Sequence, residues 1–285
     1  MTRTPTRPVL RYHGGKWRLA PWIIAHFPPH RVYVEPFGGA ASVLLRKPRS
    51  YAEVYNEVDG EIVDFFRILR HPEHAVRLAD LLKLTPFARA EFEEAYEPAK
   101  DRFERARRLV IRSFMGFGSD GIRTELTTGF RANSNRSGTS PSHDWVNYAG
   151  AVAAMTERLA GVVIEQRDAL ACMAQHDGPA TLHYVDPPYM WETRKINHRG
   201  HGYRHELDNA DHDRVLGELR KLQGMVVLSG YPSETYDVAL KGWMRKERAA
   251  HADGAQPRTE VLWLNPACVA ALGHGPLFAN METAA

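Results

Sequence analysis

Two cysteines, Cys172 and Cys268, are all that the 285 residues contain. They are too few for a disulfide framework and stand in no paired metal-ligand spacing, so both read as buried apolar side chains. No apolar run is long enough to span a bilayer, and the first residues carry no signal-peptide pattern. The expectation is a cytoplasmic protein without a membrane. Neither sign of charge dominates: Lys and Arg number 37 against 34 Asp and Glu, a formal net charge of +3. That total by itself does not argue for nucleic acid. There is no internal repeat, and no Gly-Lys-Ser/Thr ending that would mark a phosphate-cradling loop.

What is present is ordinary globular composition, with 44% hydrophobic and 25% charged residues, enough to bury a substantial core. The charge is unevenly placed. Eight arginines face four acidic residues between Asp101 and Arg136, and Met190 to Glu206 adds Arg194, Lys195, Arg199 and Arg204 with three histidines. Solvated surface suits any one of these; two basic clusters suit phosphate contact.

Hydrophobic patterning divides the chain. Residues 1–9, rich in Thr, Arg and Pro, read as a disordered tail. Val32 to Val34, then Glu35-Pro36 and the small residues Gly38 to Ser42, then Val43 to Leu45, read as strand, tight turn and helix. Tyr51 to Val58 is a second strand, and Ile62, Phe65, Phe66 and Leu69 recur at helical spacing. The alternation stops over 72–159, read as an inserted subdomain: helices within Phe87 to Phe114, a loop from Gly116 to Ser142, and a helical stripe of Trp145, Tyr148, Val152, Met155 and Leu159. It resumes with strands at Val162 to Glu165, Leu182 to Val185, Met225 to Ser229 and Thr259 to Asn265, and a helix over Asp211 to Leu222. Residues 10–71 and 160–285 thus make an α/β domain of the doubly wound kind, whose ligands sit at the carboxyl ends of the strands.

Asp186-Pro187-Pro188-Tyr189 leaves one of those ends. The exocyclic amine of a nucleobase is a poor nucleophile because its lone pair is delocalised into the ring. The Asp186 carboxylate and the Pro187 carbonyl are two acceptors that can take its N–H groups and aim the lone pair at a methyl donor. Pro187 and Pro188 fix the direction of that carbonyl, and Tyr189 can stack on a base swung out of a duplex. The same four residues also suit a strand ending in a rigid turn with a partly buried tyrosine. The turn containing Glu35, Phe37 and Gly39 lets a ligand approach the backbone closely, with an acidic residue suited to an ammonium group. Glu57 ends the second strand where a ribose is held. Lys16, after Tyr12-His13-Gly14-Gly15, can reach a cofactor carboxylate, and Asp168 is a candidate acceptor for a cofactor adenine amine. His198, His201, His205 and His212 lack a cysteine or carboxylate at zinc spacing, so no metal site is read.

Taken in order, Tyr12 to Lys16, Val34 to Ser42, Asn56-Glu57 and Asp186 to Tyr189 resemble the motifs of Dam-type DNA adenine methyltransferases, in the short form found in phages and mobile elements. The resemblance implies a Rossmann-like class I methyltransferase sheet of seven strands, mostly parallel with an antiparallel last strand. It also implies a mainly helical target-recognition subdomain, S-adenosylmethionine as cofactor, and double-stranded DNA methylated at the N6 amine of a flipped adenine. By it, Tyr12, Lys16, Phe37, Gly39, Glu57 and Asp186 serve the cofactor, Asp186 also being catalytic. Arg112, Arg123, Arg131, Asn133, Asn135 and Arg136, with Arg194, Lys195 and Arg199, are the candidates for DNA contact. Ala41 and Glu57 replace the glycine and aspartate common among relatives. Methylation of cytosine at N4, of adenine in RNA, and a silent DNA-binding accessory role remain open from the residues alone. A monomer is assumed.

Overall fold

In the computed structural model, residues 4–119, 122, 124, 127–133, 138–194, 202–251 and 257–273 are described. The apolar runs do form strands: β1 (Val32–Glu35), β2 (Ala52–Asn56), β3 (Val163–Glu165), β4 (Thr181–Val185) and β5 (Met225–Gly230). Every residue of β4 and β5 is buried, as a parallel strand covered on both faces requires. β6 (Met244–His251) and β7 (Pro257–Leu264) complete a seven-stranded sheet of order β3-β2-β1-β4-β5-β7-β6. The first five strands run parallel, with Val32 opposite both Ala52 and Thr181. β7 runs antiparallel to β5 and to β6. This is the sheet implied by the resemblance. Strand β6 has no counterpart among the strands read from sequence, because Met-Arg-Lys-Glu-Arg shows no period-two alternation. It is an edge strand, and charge on such a strand deters pairing with another chain.

The chain divides into two units. The sheet unit holds the described parts of Arg18–Gly38, Lys47–Val58 and Gly161–Ala285, including α1 (Ala20–Ile24). The other unit takes in the described parts of Met1–Trp17, Gly39–Arg46 and Asp59–Ala160, and its regular elements are α2 (Gly60–Arg70), α3 (Pro72–Leu84), α4 (Arg89–Glu94), α5 (Arg102–Met115), α6 (Pro141–Val146) and α7 (Tyr148–Leu159). Capping explains the starts of several helices: Asp59 accepts from the Glu61 amide, Asp101 from those of Phe103 and Glu104, and Ser140 from that of His143. The stripe Trp145, Tyr148, Val152, Met155 and Leu159 is buried throughout, as its spacing predicts. The sheet unit continues with α8 (Ala169–His176), α9 (Asn209–Leu219), α10 (Glu234–Ala239) and α11 (Pro266–Gly273). No helix among the described residues is long and apolar enough to cross a membrane.

Two local expectations are corrected. Residues 4–9, expected as disordered tail, pack into the helical unit. Arg7 pairs with Asp144 at 3.0 Å, its guanidinium lies 5.0 Å from the Phe114 ring centroid, and Val9 is buried with its carbonyl accepting from the Tyr148 hydroxyl at 2.8 Å. A guanidinium that both stacks and pairs gains enough to order a short polar segment. Val43 to Leu45, expected as the start of a helix, form only a turn closed by the Leu45 amide on the Ala41 carbonyl at 2.9 Å. Ala41 there has φ of 51°, a left-handed conformation that no regular helix contains.

At the carboxyl ends of the first three strands one side chain holds the loops in place. Asn56 is fully buried. Its amide nitrogen donates to the Pro36 carbonyl at 2.9 Å and the Arg167 carbonyl at 3.0 Å, and its oxygen accepts from the Arg167 amide at 3.0 Å. Its backbone carbonyl accepts from the Gly38 amide at 2.8 Å. At the other end of the sheet, His183 inside β4 meets Asp177 at 3.2 Å, and Asp177 accepts from the Gln223 and Gly224 amides at 2.7 and 2.9 Å. Burial holds the His183 imidazole below its ordinary pKa, in part offset by Asp177. Burial pushes Asp177 up, but the two amides and His183 outweigh it and leave it below the usual carboxylate range.

Two predictions follow from these bonds. Asn56→Ala strands two carbonyls and an amide, and should lower the unfolding free energy in urea by about 3 kcal/mol. Because both His183 and Asp177 are depressed on folding, their stabilisation is complete above the ordinary histidine pKa of 6.5 and is lost as the pH falls through each folded value. The urea midpoint should therefore drop from pH 7 to pH 4, and drop further in Asp177→Asn, which removes the charge that offsets the depression of His183.

Candidate active site

Strand β4 ends at Val185 in a fully apolar setting, and the chain leaves it through the half-buried Asp186 and the buried Pro187, Pro188 and Tyr189. The tyrosine is not displayed as a free stacking surface. It is 5% exposed, its hydroxyl donates to the Glu260 carboxylate and lies 3.0 Å from the Ser229 hydroxyl, and its ring meets that of Tyr231 edge-on with centroids 4.7 Å apart. Ser229 in turn donates to Glu260 at 2.7 Å. Burial, with the negative charges of Asp186 and Glu260, drives the Tyr189 phenol well above its ordinary value, so it stays protonated and a donor. Neither Ser229 nor Glu260 stands out when their segments are read only as strands. The signal is Glu260-Val-Leu-Trp-Leu, a carboxylate directly before the apolar run of an inner strand.

At the end of β1, Glu35 is buried and accepts from the Tyr33 hydroxyl at 2.7 Å. The two alternate residues of a strand share a face, so Tyr33 fixes the carboxylate from within the same strand. Phe37 packs on the apolar cluster that includes Val185, Leu228 and Val261. Gly38 admits no side chain, since a Cβ there would fall 2.1 Å from the Tyr55 ring. At the end of β2, Glu57 is buried to 9% exposure and accepts from the Val58 amide at 2.8 Å. Asp168 is exposed and caps α8, accepting from the Ala171 amide at 2.9 Å. These carboxylates share the carboxyl end of the sheet with Asp186.

In the helical unit, Tyr12 and Gly39 are brought together. A Cβ on Gly39, whose φ is 47°, would stand 3.0 Å from the Tyr12 ring. The Gly15 amide closes a turn on the Tyr12 carbonyl at 3.0 Å, and the buried Lys16 donates to the Gly14 carbonyl at 2.9 Å. The glycine-rich turn therefore folds the lysine back on its own loop.

Three of the expected DNA contacts are structural instead. Arg112 is buried, donates to the Ala95 carbonyl at 2.6 Å and pairs with Glu61. Arg131 is buried and donates to the Phe114 carbonyl at 2.9 Å. Arg194 makes a forked pair with Glu206 at 3.0 and 2.5 Å and stacks 4.5 Å from the Trp191 ring centroid. A guanidinium offers five donors in one plane, and each of these three is directed at partners within the protein. Asn133 is exposed. Arg123, Asn135, Arg136, Lys195 and Arg199 lie outside the described residues, as do His198 and His201. His212 is buried, 2.8 Å from the Tyr236 hydroxyl.

No curated protein matches the chain. The family model of D12 class N6 adenine-specific DNA methyltransferases, however, matches residues 12–229, from the Tyr12 turn through the catalytic strand to the end of β5. That span is well over half of the chain and contains every motif located above, so the protein belongs to this family and is a site-specific DNA methyltransferase acting on the N6 amine of adenine.

Proposed function

We propose that the methyl donor is S-adenosylmethionine and that the target adenine meets Asp186 after swinging out of the duplex. The observation that carries this reading is the pairing of β1 with β4 in parallel register, Val34 opposite His183. It brings the Glu35 turn and the Asp186 motif to one end of neighbouring strands. The residues fit such a donor by their chemistry. Glu35 and Glu57 are acceptors, suited to an ammonium group and to ribose hydroxyls and unsuited to a polyphosphate. The partly buried Phe37 ring offers an apolar surface to a flat nucleoside. Asp168 serves its adenine amine, and from the motif resemblance Tyr12, Lys16 and Gly39 serve the same ligand. Bound there, the donor supplies an electrophilic methyl group on a sulfonium.

The chain's own contribution is orientation. The Asp186 carboxylate and the Pro187 carbonyl accept the two N–H groups of the adenine amine, drawing its lone pair out of conjugation and along the line of transfer. No strong base is required, because the amine becomes acidic only as the methyl arrives. Pro188 stiffens the segment, and Tyr189 walls the base site. The subdomain around 72–159 carries target recognition. Asn133, with Arg123, Arg136, Lys195 and Arg199 from the two basic clusters, contacts phosphates or base edges.

With labelled S-adenosylmethionine and a mixed-sequence duplex, label should appear in N6-methyladenine after digestion to nucleosides. Asp186→Ala should lower the rate by at least about 100-fold while leaving the circular dichroism spectrum unchanged. A fully active Asp186→Ala enzyme would sink the reading. Glu57→Ala, which removes a charged acceptor, should weaken donor binding by roughly 10-fold or more in a calorimetric titration, with the KM for DNA unmoved.

A further inference from the structure

We propose that Glu260 is a positioning residue for methyl transfer, acting with Ser229 to hold the Tyr189 hydroxyl and, through it, the segment Asp186 to Tyr189. The inference rests on the assignment of that segment as the amine-binding site. Glu260 lies beyond residues 12–229, on a strand that the family motifs do not reach.

The geometry gives the segment two fixed ends. At one end, Val185 is locked in the β4 ladder opposite Leu228. At the other, the Tyr189 hydroxyl donates to Glu260 and sits 3.0 Å from Ser229, which itself donates to Glu260 at 2.7 Å. Between them stand Asp186, Pro187 and Pro188, and both prolines have a restricted φ. A short stiff segment clamped at both ends has little freedom to turn its carboxylate and carbonyl away from an incoming amine. In-line transfer is sensitive to such an error: a displacement of one ångström at the reacting group costs on the order of 100-fold in rate.

Stability alone does not account for the carboxylate. Glu260 is 3% exposed. Ser229 pairs with Leu262 across the ladder, so Glu260, two residues before Leu262, projects on the same face as Ser229. The later residues of that face, Leu262 and Leu264, are apolar and fully buried. A leucine in place of the glutamate would continue the pattern without the desolvation of a carboxylate, which costs several kcal/mol. The carboxylate stands at the position of β7 that accepts from the Tyr189 hydroxyl. An acceptor that takes two hydroxyls at once fixes the direction of each.

The test compares Glu260→Ala, Glu260→Gln, Tyr189→Phe and the double variant Glu260→Ala/Tyr189→Phe in single-turnover methylation of duplex DNA, beside the donor dissociation constant and the melting midpoint. Glu260→Ala and Tyr189→Phe should each lower the transfer rate by about 10- to 100-fold while donor affinity stays within about 3-fold of the parent. The double variant should be no slower than the worse single variant by more than about 3-fold, because both remove one link. Glu260→Gln should recover most of the rate, its carboxamide oxygen accepting the same two hydroxyls. Parental rates in Glu260→Ala or in Tyr189→Phe overturn the proposal, as does a loss in Glu260→Ala that the glutamine leaves unrestored. Should Glu260→Ala fail to fold, Tyr189→Phe and Glu260→Gln still decide, since both keep a polar group at position 260. A parent protein that transfers no methyl group to adenine instead overturns the assignment of Asp186 on which the proposal rests.

Discussion

The carboxamide of Asn56 is the constraint on which the active end of the sheet depends. Three strands arrive side by side at that end, and each must release its chain into a loop without leaving backbone groups dry and unbonded. Asn56 answers for two of the loops at once. It takes the Pro36 carbonyl after β1, and both the carbonyl and the amide of Arg167 after β3, while its own backbone receives the Gly38 amide. An aspartate offers no donor and a leucine offers nothing, so the amide is the side chain of this size that satisfies a carbonyl and an amide together. With the Pro36 loop fixed, Glu35 and Gly38 have defined positions. The neighbouring β4 then brings Asp186 to the same end.

The same device recurs at other polar groups buried in the sheet unit. Tyr33 holds Glu35, and the Tyr33 ring also lies 4.4 Å beneath the Lys47 ammonium. Lys47 donates to Glu53 at 2.6 Å, to Ser50 at 2.8 Å and to the Pro48 carbonyl at 2.7 Å, filling its three N–H positions. Glu260 takes Ser229 and Tyr189. A buried charge without such partners would cost several kcal/mol; with them it becomes a rigid point. The Glu35 and Glu260 points lie beside the loops at the carboxyl end of the sheet, while the Lys47–Glu53 pair, at the start of β2, and His183 with Asp177 bind the opposite end.

How much of this could be read in the sequence follows from the range of each interaction. Parallel strands announce themselves as continuous apolar runs, and helices α2 and α7 as apolar stripes, because those signals repeat over neighbouring residues. The Asp186 motif was legible because its four residues are adjacent. Asn56 was visible only as a letter in a motif: its partner Arg167 is 111 residues away, and nothing local marks the bond. Glu260 is 71 residues from Tyr189 and was hidden for the same reason. Strand β6 escaped because an exposed edge needs no alternation, and the N-terminal segment escaped because its order depends on Arg7 reaching Asp144, 137 residues on.

The arginines show the limit most clearly. An arginine paired inside the protein and one facing a phosphate look alike in sequence. On α5 the basic residues are compensated at close range: Arg107 pairs with Glu91 at 2.7 Å and with Glu104 at 2.8 Å, Arg108 with Glu94 at 2.9 Å and with Glu104 at 2.6 Å, and Arg112 with Glu61. The hydrogen bond from Arg107, joined by that from Arg108, outweighs partial burial and holds the Glu104 carboxyl below its usual range, so these pairs persist as charges and not as neutral contacts. A helix whose guanidiniums are bound at three and four residues' spacing and across to α4 is a braced strut. The guanidiniums of Arg107, Arg108 and Arg112 are each answered by a carboxylate within the unit. The pairing of Arg107, Arg108 and Arg112 is thus a property of the helical unit's packing.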